Sequence, residues 1–346
     1  MSIKKQVLKF WKIFLQERSN LEHALRHHCE TEQKEISKIL NVYLEELCNC
    51  QLMFEVGLQH YEMIFLSGQD KNAQIICALL KKMMPKGIEG TWLVHASLPP
   101  LSEKALHTIL RLEDKEYTPD NFIVYYDIDE QNKCLNLEVY CKAYDVLEKN
   151  KANEVTMYLL SLFLGDIALE AYVNQIDLID HQKTGDSALL TQLYEVLQDI
   201  IAEYQWVDYQ DATMIYRIFK IQENTNQEAV RKDIKIMSSV HPVLMSELLE
   251  DVFHSYHEFF DFGGEFGYIY YENPYRDEKD ALLRQKLEKV INNMLYKHGI
   301  ARSIGGAMGS KYTYIDIAVF DKEEFLKAFH KMNTHISLSL AYTSFS

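Results

Sequence analysis

The stretch that decides the fold is FGYIYYENPYRDEKDALLRQKLEKVINNMLYKHGIARSIGGAMGSKYTYIDIAVFDKEEFLKAFHKMNTHISLSLAY, residues 266–342. Its hydrophobic periodicity alternates between two residues and 3.6 residues, which predicts strands interleaved with helices. The predicted elements are strands over 266–271, 302–307, 312–320 and 335–342, with helices over 277–298 and 322–331. This order is that of a ferredoxin-like unit, which we place at 266–346. Because that scaffold hosts many unrelated functions, the fold does not specify an activity.

Outward from this unit, the same patterns predict a first half that contains both helices and strands. A first amphipathic helix presents Val7, Trp11 and Phe14 on one face. Strands are predicted over 52–56, 61–65, 92–96 and 173–179, helices over 69–84, 102–112 and 155–171, and a hairpin over 122–140. From Tyr61 onward this order is again close to the ferredoxin-like one. In the second half, before the terminal unit, the pattern predicts a strand over 213–221 and then mainly helix over 224–256.

The polar segment 181–187, which contains Gly185, is the predicted linker. We therefore expect an α+β protein of two domains, 1–181 and 188–346, each a mostly antiparallel sheet with helices on one face. The first domain carries the N-terminal helical segment.

The balance of acidic and basic residues indicates which kinds of partner the chain binds. The chain has 36 Lys and Arg against 51 Asp and Glu, a formal net charge of −15. Phosphate backbones attract basic patches, so this balance argues against nucleic acid and favours a basic protein partner. Lys9 and Lys12 interrupt the apolar N-terminal run, and no stretch approaches the ~20 apolar residues of a membrane helix. We expect no membrane association and a cytoplasmic location.

The six cysteines lie at positions 29, 48, 50, 77, 134 and 141. Cys48 and Cys50 flank one Asn, a spacing that is neither a redox pair nor half of a structural zinc site. Scattered cysteines in a chain of this length predict reduced, mostly buried thiols and no cofactor.

Some motifs resemble known families. Phe10-Trp11, the strand 52–57 and Trp92 resemble a family of uncharacterised bacterial two-domain proteins. The run 312–321, preceded by Gly305-Gly306, is similar to the ferredoxin-like ribonuclease-regulator fold. The first resemblance implies no activity, and the second implies regulation only by analogy of fold.

One metal candidate belongs to a predicted helix. His254 and His257 are three residues apart, with Glu250, Asp251 and Glu258 close by. A His-x-x-His pair among carboxylates is able to bind zinc or manganese. The polar face of an amphipathic helix explains the same residues more simply, so we assign no metal here.

The candidate partner-binding residues are Tyr268, Tyr270, Tyr312, Tyr314 and Asp316. Strand alternation places them on the sheet face opposite the two helices of the terminal unit. A sheet face of this kind is either covered by other parts of the protein or serves as a binding surface. It either packs against the other domain, which is favoured, or forms a tyrosine-rich docking surface for a protein partner.

Two function classes follow. The preferred one is an acidic, cytosolic interaction or regulatory module, of immunity or enzyme-regulator type, without catalytic activity. The alternative is a metal-dependent or hydrolytic enzyme with a site in the cleft between the domains. No nucleophile elbow, zinc-protease motif or phosphate loop supports the alternative.

Overall fold

The computed structural model describes residues 1–101, 103–112, 115–221 and 229–345, and the chain is α+β. The helices are α1 (Ile3–Arg26), α2 (Glu30–Glu45), α3 (Lys71–Lys82), α4 (Glu103–Leu106), α5 (Lys149–Tyr172), α6 (Leu193–Glu203), α7 (Pro242–Leu249), α8 (His254–Asp261), α9 (Lys279–Leu295) and α10 (Lys322–Asn333). The strands are β1 (Gln51–Val56), β2 (Tyr61–Leu66), β3 (Trp92–His95), β4 (Leu110–Leu112), β5 (Lys115–Tyr117), β6 (Phe122–Asp129), β7 (Cys134–Cys141), β8 (Val173–Ile179), β9 (Ser187–Leu189), β10 (Arg217–Lys220), β11 (Ile234–Ser239), β12 (Glu265–Glu272), β13 (Ala301–Gly309), β14 (Tyr312–Val319) and β15 (Ala341–Ser344).

The chain forms two compact units. One, the discontinuous unit, contains residues 1–96 and 215–346; the other, the inserted unit, contains residues 97–214. These bounds differ from the predicted 1–181 and 188–346. The predicted linker lies within the inserted unit, where Ser187 begins β9 and pairs with Tyr125 of β6. A polar, glycine-containing segment is typical of a loop inside a compact unit as well as of a linker between domains.

The large sheet of the discontinuous unit has the strand order β10-β11-β13-β14-β12-β15, and its neighbouring strands are antiparallel. On one face, Ile315 and Ile317 of β14 pack with Ile291 of α9 and Phe325 of α10. The opposite face belongs to a second core, so both faces are covered, whereas helices were expected on one face only. That second core combines residues from α1, α8, β12 and β14, including Val7, Phe10, Phe259, Phe266, Tyr268 and Tyr314.

Two predictions in this unit are wrong. Residues 234–239, predicted as helix, form β11, because pairing with β10 and β13 outweighs their local pattern. Residues 224–228 of that predicted helix lie outside the described part of the chain. Residues 335–340 are not a strand: Asn333 donates to the Leu340 carbonyl and accepts from its amide, closing a loop before β15 begins at Ala341.

The N-terminal helix packs on its own unit, as expected. Val7, Trp11 and Phe14 are buried, and the Trp11 indole donates to the Leu80 carbonyl over 3.0 Å. The small sheet β1-β2-β3 pairs β2 and β3 in parallel through α3. Asp70 caps α3 by accepting from the Ala73 amide at 3.1 Å.

The inserted unit has the sheet order β8-β7-β6-β9. Val124, Leu137 and Val139 point to one face, where they pack with residues of α5 and α6 such as Leu159 and Leu197. Because β2 and β3 belong to a different sheet, the second ferredoxin-like order predicted from Tyr61 onward does not form. Its strands are divided between the two units.

Helix α5 is long and apolar enough to cross a membrane, whereas we expected that no stretch of the sequence approaches this length. Of its most apolar window, 56% is buried, and the central helix of a folded core passes the same test. Leu159, Leu160 and Phe163 belong to the core of the inserted unit.

Candidate functional site

The predicted tyrosine face is largely buried. Tyr314 and Asp316 are fully buried and Tyr268 is 8% exposed, whereas Tyr270 and Tyr312 are half-buried. Their rings form a connected cluster, with Tyr268 and Tyr314 centroids 5.8 Å apart and Tyr270 and Tyr312 centroids 5.7 Å apart. Strand alternation therefore identified a real cluster, but three of its five members offer no surface to a partner.

Arg231 lies across this cluster. Its guanidinium donates to both carboxylate oxygens of Asp316, at 2.6 and 3.2 Å, and lies 4.9 Å from the ring centroids of Tyr268 and Phe345. The planar guanidinium suits both contacts at once, since it forms bidentate bonds to a carboxylate and stacks on aromatic faces.

Asp233 ties the same segment to β14. One carboxylate oxygen accepts from the amides of Lys311 and Tyr312, and the other accepts from the Tyr314 hydroxyl. Burial, followed by the hydrogen bond to Asp233, raises the pKa of Tyr314 well above its ordinary value. The polar groups of this network form hydrogen bonds with one another. We therefore expect Arg231, Asp233, Tyr314 and Asp316 to stabilise the folded state.

His254 and His257 are exposed on α8 and are not brought together with a third ligand. His257 packs edge-on against the rings of Phe253 and Tyr256. In the described ranges, neither histidine belongs to a cluster of three metal-binding groups.

The structure instead gathers Cys48, Cys50 and Cys77. The Cys50 sulfur lies 3.4 Å from that of Cys48 and 3.5 Å from that of Cys77, and the three sulfurs lie within 4.8 Å of one another. The Cys50 amide donates to the Cys48 carbonyl over 2.9 Å, which closes a tight turn after α2. That turn directs two thiols toward Cys77 on the buried side of α3.

The three thiols are buried and unequal in acidity. Hydrogen bonds from Cys48 and then Cys77 lower the pKa of Cys50 to about 5. Burial, reinforced by its sulfur neighbours, raises the pKa of Cys77, and the hydrogen bond to Cys50 raises that of Cys48. The hydrogen bonds therefore favour the charged form at Cys50, whereas burial favours the neutral form at Cys77.

The negative charge is confined to one unit. Residues 97–214 contain 22 Asp and Glu against 8 Lys and Arg, a net charge of −14. Residues 1–96 and 215–346 contain 29 against 28, a net charge of −1. The acidic character therefore belongs to the inserted unit.

The sheet of this unit has an acidic open face, on the side opposite α5 and α6. Glu138 lies opposite Tyr125 on β6 and beside Asp177 on β8, while Asp127 lies two residues beyond Tyr125 on β6 and therefore on the same face. Asp127 and Asp177 are exposed, and Glu138 is partly exposed. Neighbouring like charges repel one another, so this open acidic face favours the approach of a cation.

Lys183 is a cation of the inserted unit that binds to this face. From the loop before β9 it forms an ion pair with Glu138, and its ammonium lies 5.6 Å from the Tyr125 ring centroid. Lys183 itself remains exposed, as do Asp127 and Asp177 beside it.

Sequence reasoning missed both the sulfur cluster and the open acidic face. Cys77 is 27 residues from Cys50, and no spacing rule joins a Cys-x-Cys turn to a helix that far along. The uneven charge was readable from composition, but only once the bounds 97 and 214 were known.

Comparison with protein-family models, with curated proteins and with solved structures finds no match to this chain.

Proposed function

We propose that the chain is a non-catalytic binding module whose inserted unit docks a basic protein partner. The observation that carries this proposal is the charge division, −14 on the inserted unit against −1 on the rest. A strongly acidic surface accelerates encounter with a basic partner and disfavours acidic competitors.

The docking site is the open acidic face. Asp127, Glu138 and Asp177 lie on adjacent strands, and Tyr140 and Ile179, paired across β7 and β8, contribute apolar surface next to them. Tyr140 and Ile179 are half-buried. Acidic groups beside a tyrosine suit Lys and Arg side chains, whose stems pack on apolar surface while their heads pair with carboxylates.

The test is binding of a short poly-lysine peptide to the full chain, measured by calorimetry at low and high salt. We compare the wild type with the triple variant Asp127→Asn, Glu138→Gln and Asp177→Asn. Each exposed pair contributes about 0.2–1 kcal/mol, so we expect the three substitutions together to weaken binding by about threefold to a hundredfold at low salt. The salt dependence of the remaining binding becomes weaker.

The matched control neutralises three exposed carboxylates of α6, namely Glu195, Asp199 and Glu203. It changes the net charge by the same amount and should retain most of the affinity. If the two triple variants lose the same affinity for the peptide, binding depends only on the total charge of the chain. That result would refute the assignment of the face.

The fold supports a second, structural proposal. We infer that residues 265–344 form a ferredoxin-like unit extended by β10 and β11. Support comes from the order β13-β14-β12-β15, in which the first strand of the unit lies between the third and the fourth, and from α9 and α10 on one face. A crystal structure that places β12 at the edge of this sheet would contradict it.

A further inference from the structure

The geometry points to a second site, independent of the open acidic face: Cys48, Cys50 and Cys77 bind one soft, thiophilic d¹⁰ cation in three-coordinate geometry, with Cu(I) as the occupant. Thiolate sulfur is the ligand that selects Cu(I) and zinc over harder cations.

The sulfur spacing fits such an ion. With metal–sulfur bonds of about 2.3 Å, a trigonal cation separates its sulfurs by about 4.0 Å and a tetrahedral one by about 3.8 Å. Two of the observed separations are 3.4 and 3.5 Å and the third is below 4.8 Å. Shifts of a few tenths of an ångström therefore seat the ion without repacking α3.

The number of ligands distinguishes the cations. Within the described residues, the cluster contains three sulfurs and no fourth His, Cys, Asp or Glu atom. Structural zinc is four-coordinate. Asp70 lies near enough to influence Cys48 and Cys50, but one of its carboxylate oxygens caps α3 and Asp70 does not belong to the cluster. Three buried sulfurs without a fourth ligand favour Cu(I).

Binding also has a structural consequence. Cys48 and Cys50 lie between α2 and β1, whereas Cys77 is in α3. A bound ion replaces thiol protons and joins the two segments, so it stabilises the folded state by an amount that grows with the logarithm of its affinity.

The experiment titrates Cu(I) into the reduced full chain without oxygen, with bicinchoninate as the competing chelator. We expect one equivalent per chain and three sulfur scatterers at about 2.3 Å in copper X-ray absorption. Cys77→Ala should weaken binding by more than about a hundredfold, because a lost ligand costs more than a lost outer-sphere partner.

The control is Cys141→Ala, which removes a buried thiol of the inserted unit and should leave the affinity unchanged. Thermal unfolding of each metal-free variant shows whether it folds. The copper X-ray absorption spectrum of the wild type tests the site even if a variant fails to fold. Less than one equivalent, or fewer than three sulfurs, would overturn the site. A folded Cys77→Ala protein with wild-type affinity would do the same. One equivalent of Zn(II) that Cu(I) fails to displace would overturn the choice of cation.

Discussion

Arg231 and Asp316, which are 85 residues apart, form a bidentate ion pair in which the carboxylate is completely buried. The pair holds the segment before β11 against the centre of β14. Arg231 adopts a positive φ of 68°, a conformation that is uncommon outside glycine and that this pairing helps to retain.

Removing the arginine should be strongly destabilising. In Arg231→Met, the Asp316 carboxylate stays buried without its counter-charge, which costs about 3–5 kcal/mol in the free energy of unfolding. Urea denaturation measures the loss, and adding Asp316→Asn should recover part of it. Lys327→Met removes a pair between fully exposed side chains and should cost far less stability than Arg231→Met. Similar losses at Arg231 and Lys327 would contradict the buried pair.

The Tyr314 hydroxyl provides a finer test. It accepts from the Arg231 amide at 2.7 Å and donates to Asp233. Tyr314→Phe leaves the Arg231 amide and one carboxylate oxygen of Asp233 without their partner and should cost about 1–3 kcal/mol. Tyr312→Phe, at a half-buried ring of the same strand, should change the unfolding free energy by less than about 1 kcal/mol. If the two variants are equally stable, the network does not contribute as described.

Stability should fall with acid because of His241. This ring is 2% exposed, accepts from the Leu244 amide through Nδ1 and faces Asn72 through Nε2. Burial lowers its pKa from 6.5 to about 3. The unfolded chain therefore takes up the proton first, so stability is complete above pH 6.5 and declines from there toward pH 3.

The corresponding decrease in unfolding free energy is on the order of 5 kcal/mol across that range. His241→Asn keeps a side-chain oxygen able to cap α7 and removes the titrating ring. Denaturation at a series of pH values should show a shallower dependence for this variant between pH 4 and 6.5. An unchanged slope would assign the acid sensitivity to other groups.

Gly165 interrupts α5 with φ of 72° and ψ of 162°. A Cβ there would lie 2.7 Å from the Pro100 nitrogen and 2.9 Å from the Leu98 oxygen. Gly165→Ala should therefore cost about 3 kcal/mol, from backbone strain and steric overlap together. Gly90→Ala, which meets no atom within 4 Å, should stay within about 1 kcal/mol of the wild type by thermal unfolding. A neutral Gly165→Ala would show that the helix is continuous in solution.

The sequence was informative where one local pattern decides the outcome. The stripe through Leu287 and Ile291 predicted α9, and the alternation through Ile315 and Ile317 predicted β14. Both patterns are local, because each element faces a single core.

The sequence was uninformative where distant segments meet. β11 depends on strands on both sides, and the coverage of the tyrosines depends on Arg231, far from β14 along the chain. The sulfur cluster likewise requires the register of α3 against the turn after α2. Such contacts are made by tertiary packing, which residue spacing does not encode.

The insertion of residues 97–214 between the two parts of the other unit has a consequence for synthesis on the ribosome. A nascent chain that has reached Met214 holds every residue of the acidic unit but none of the strands β10–β15. Part of the core that contains Val7 and Phe10, including Phe266 and Tyr314, has then not yet been made. We expect the acidic unit to fold first, leaving the N-terminal segment as a chaperone client in the interval. Protease protection of stalled chains that arises in both units together would contradict this order.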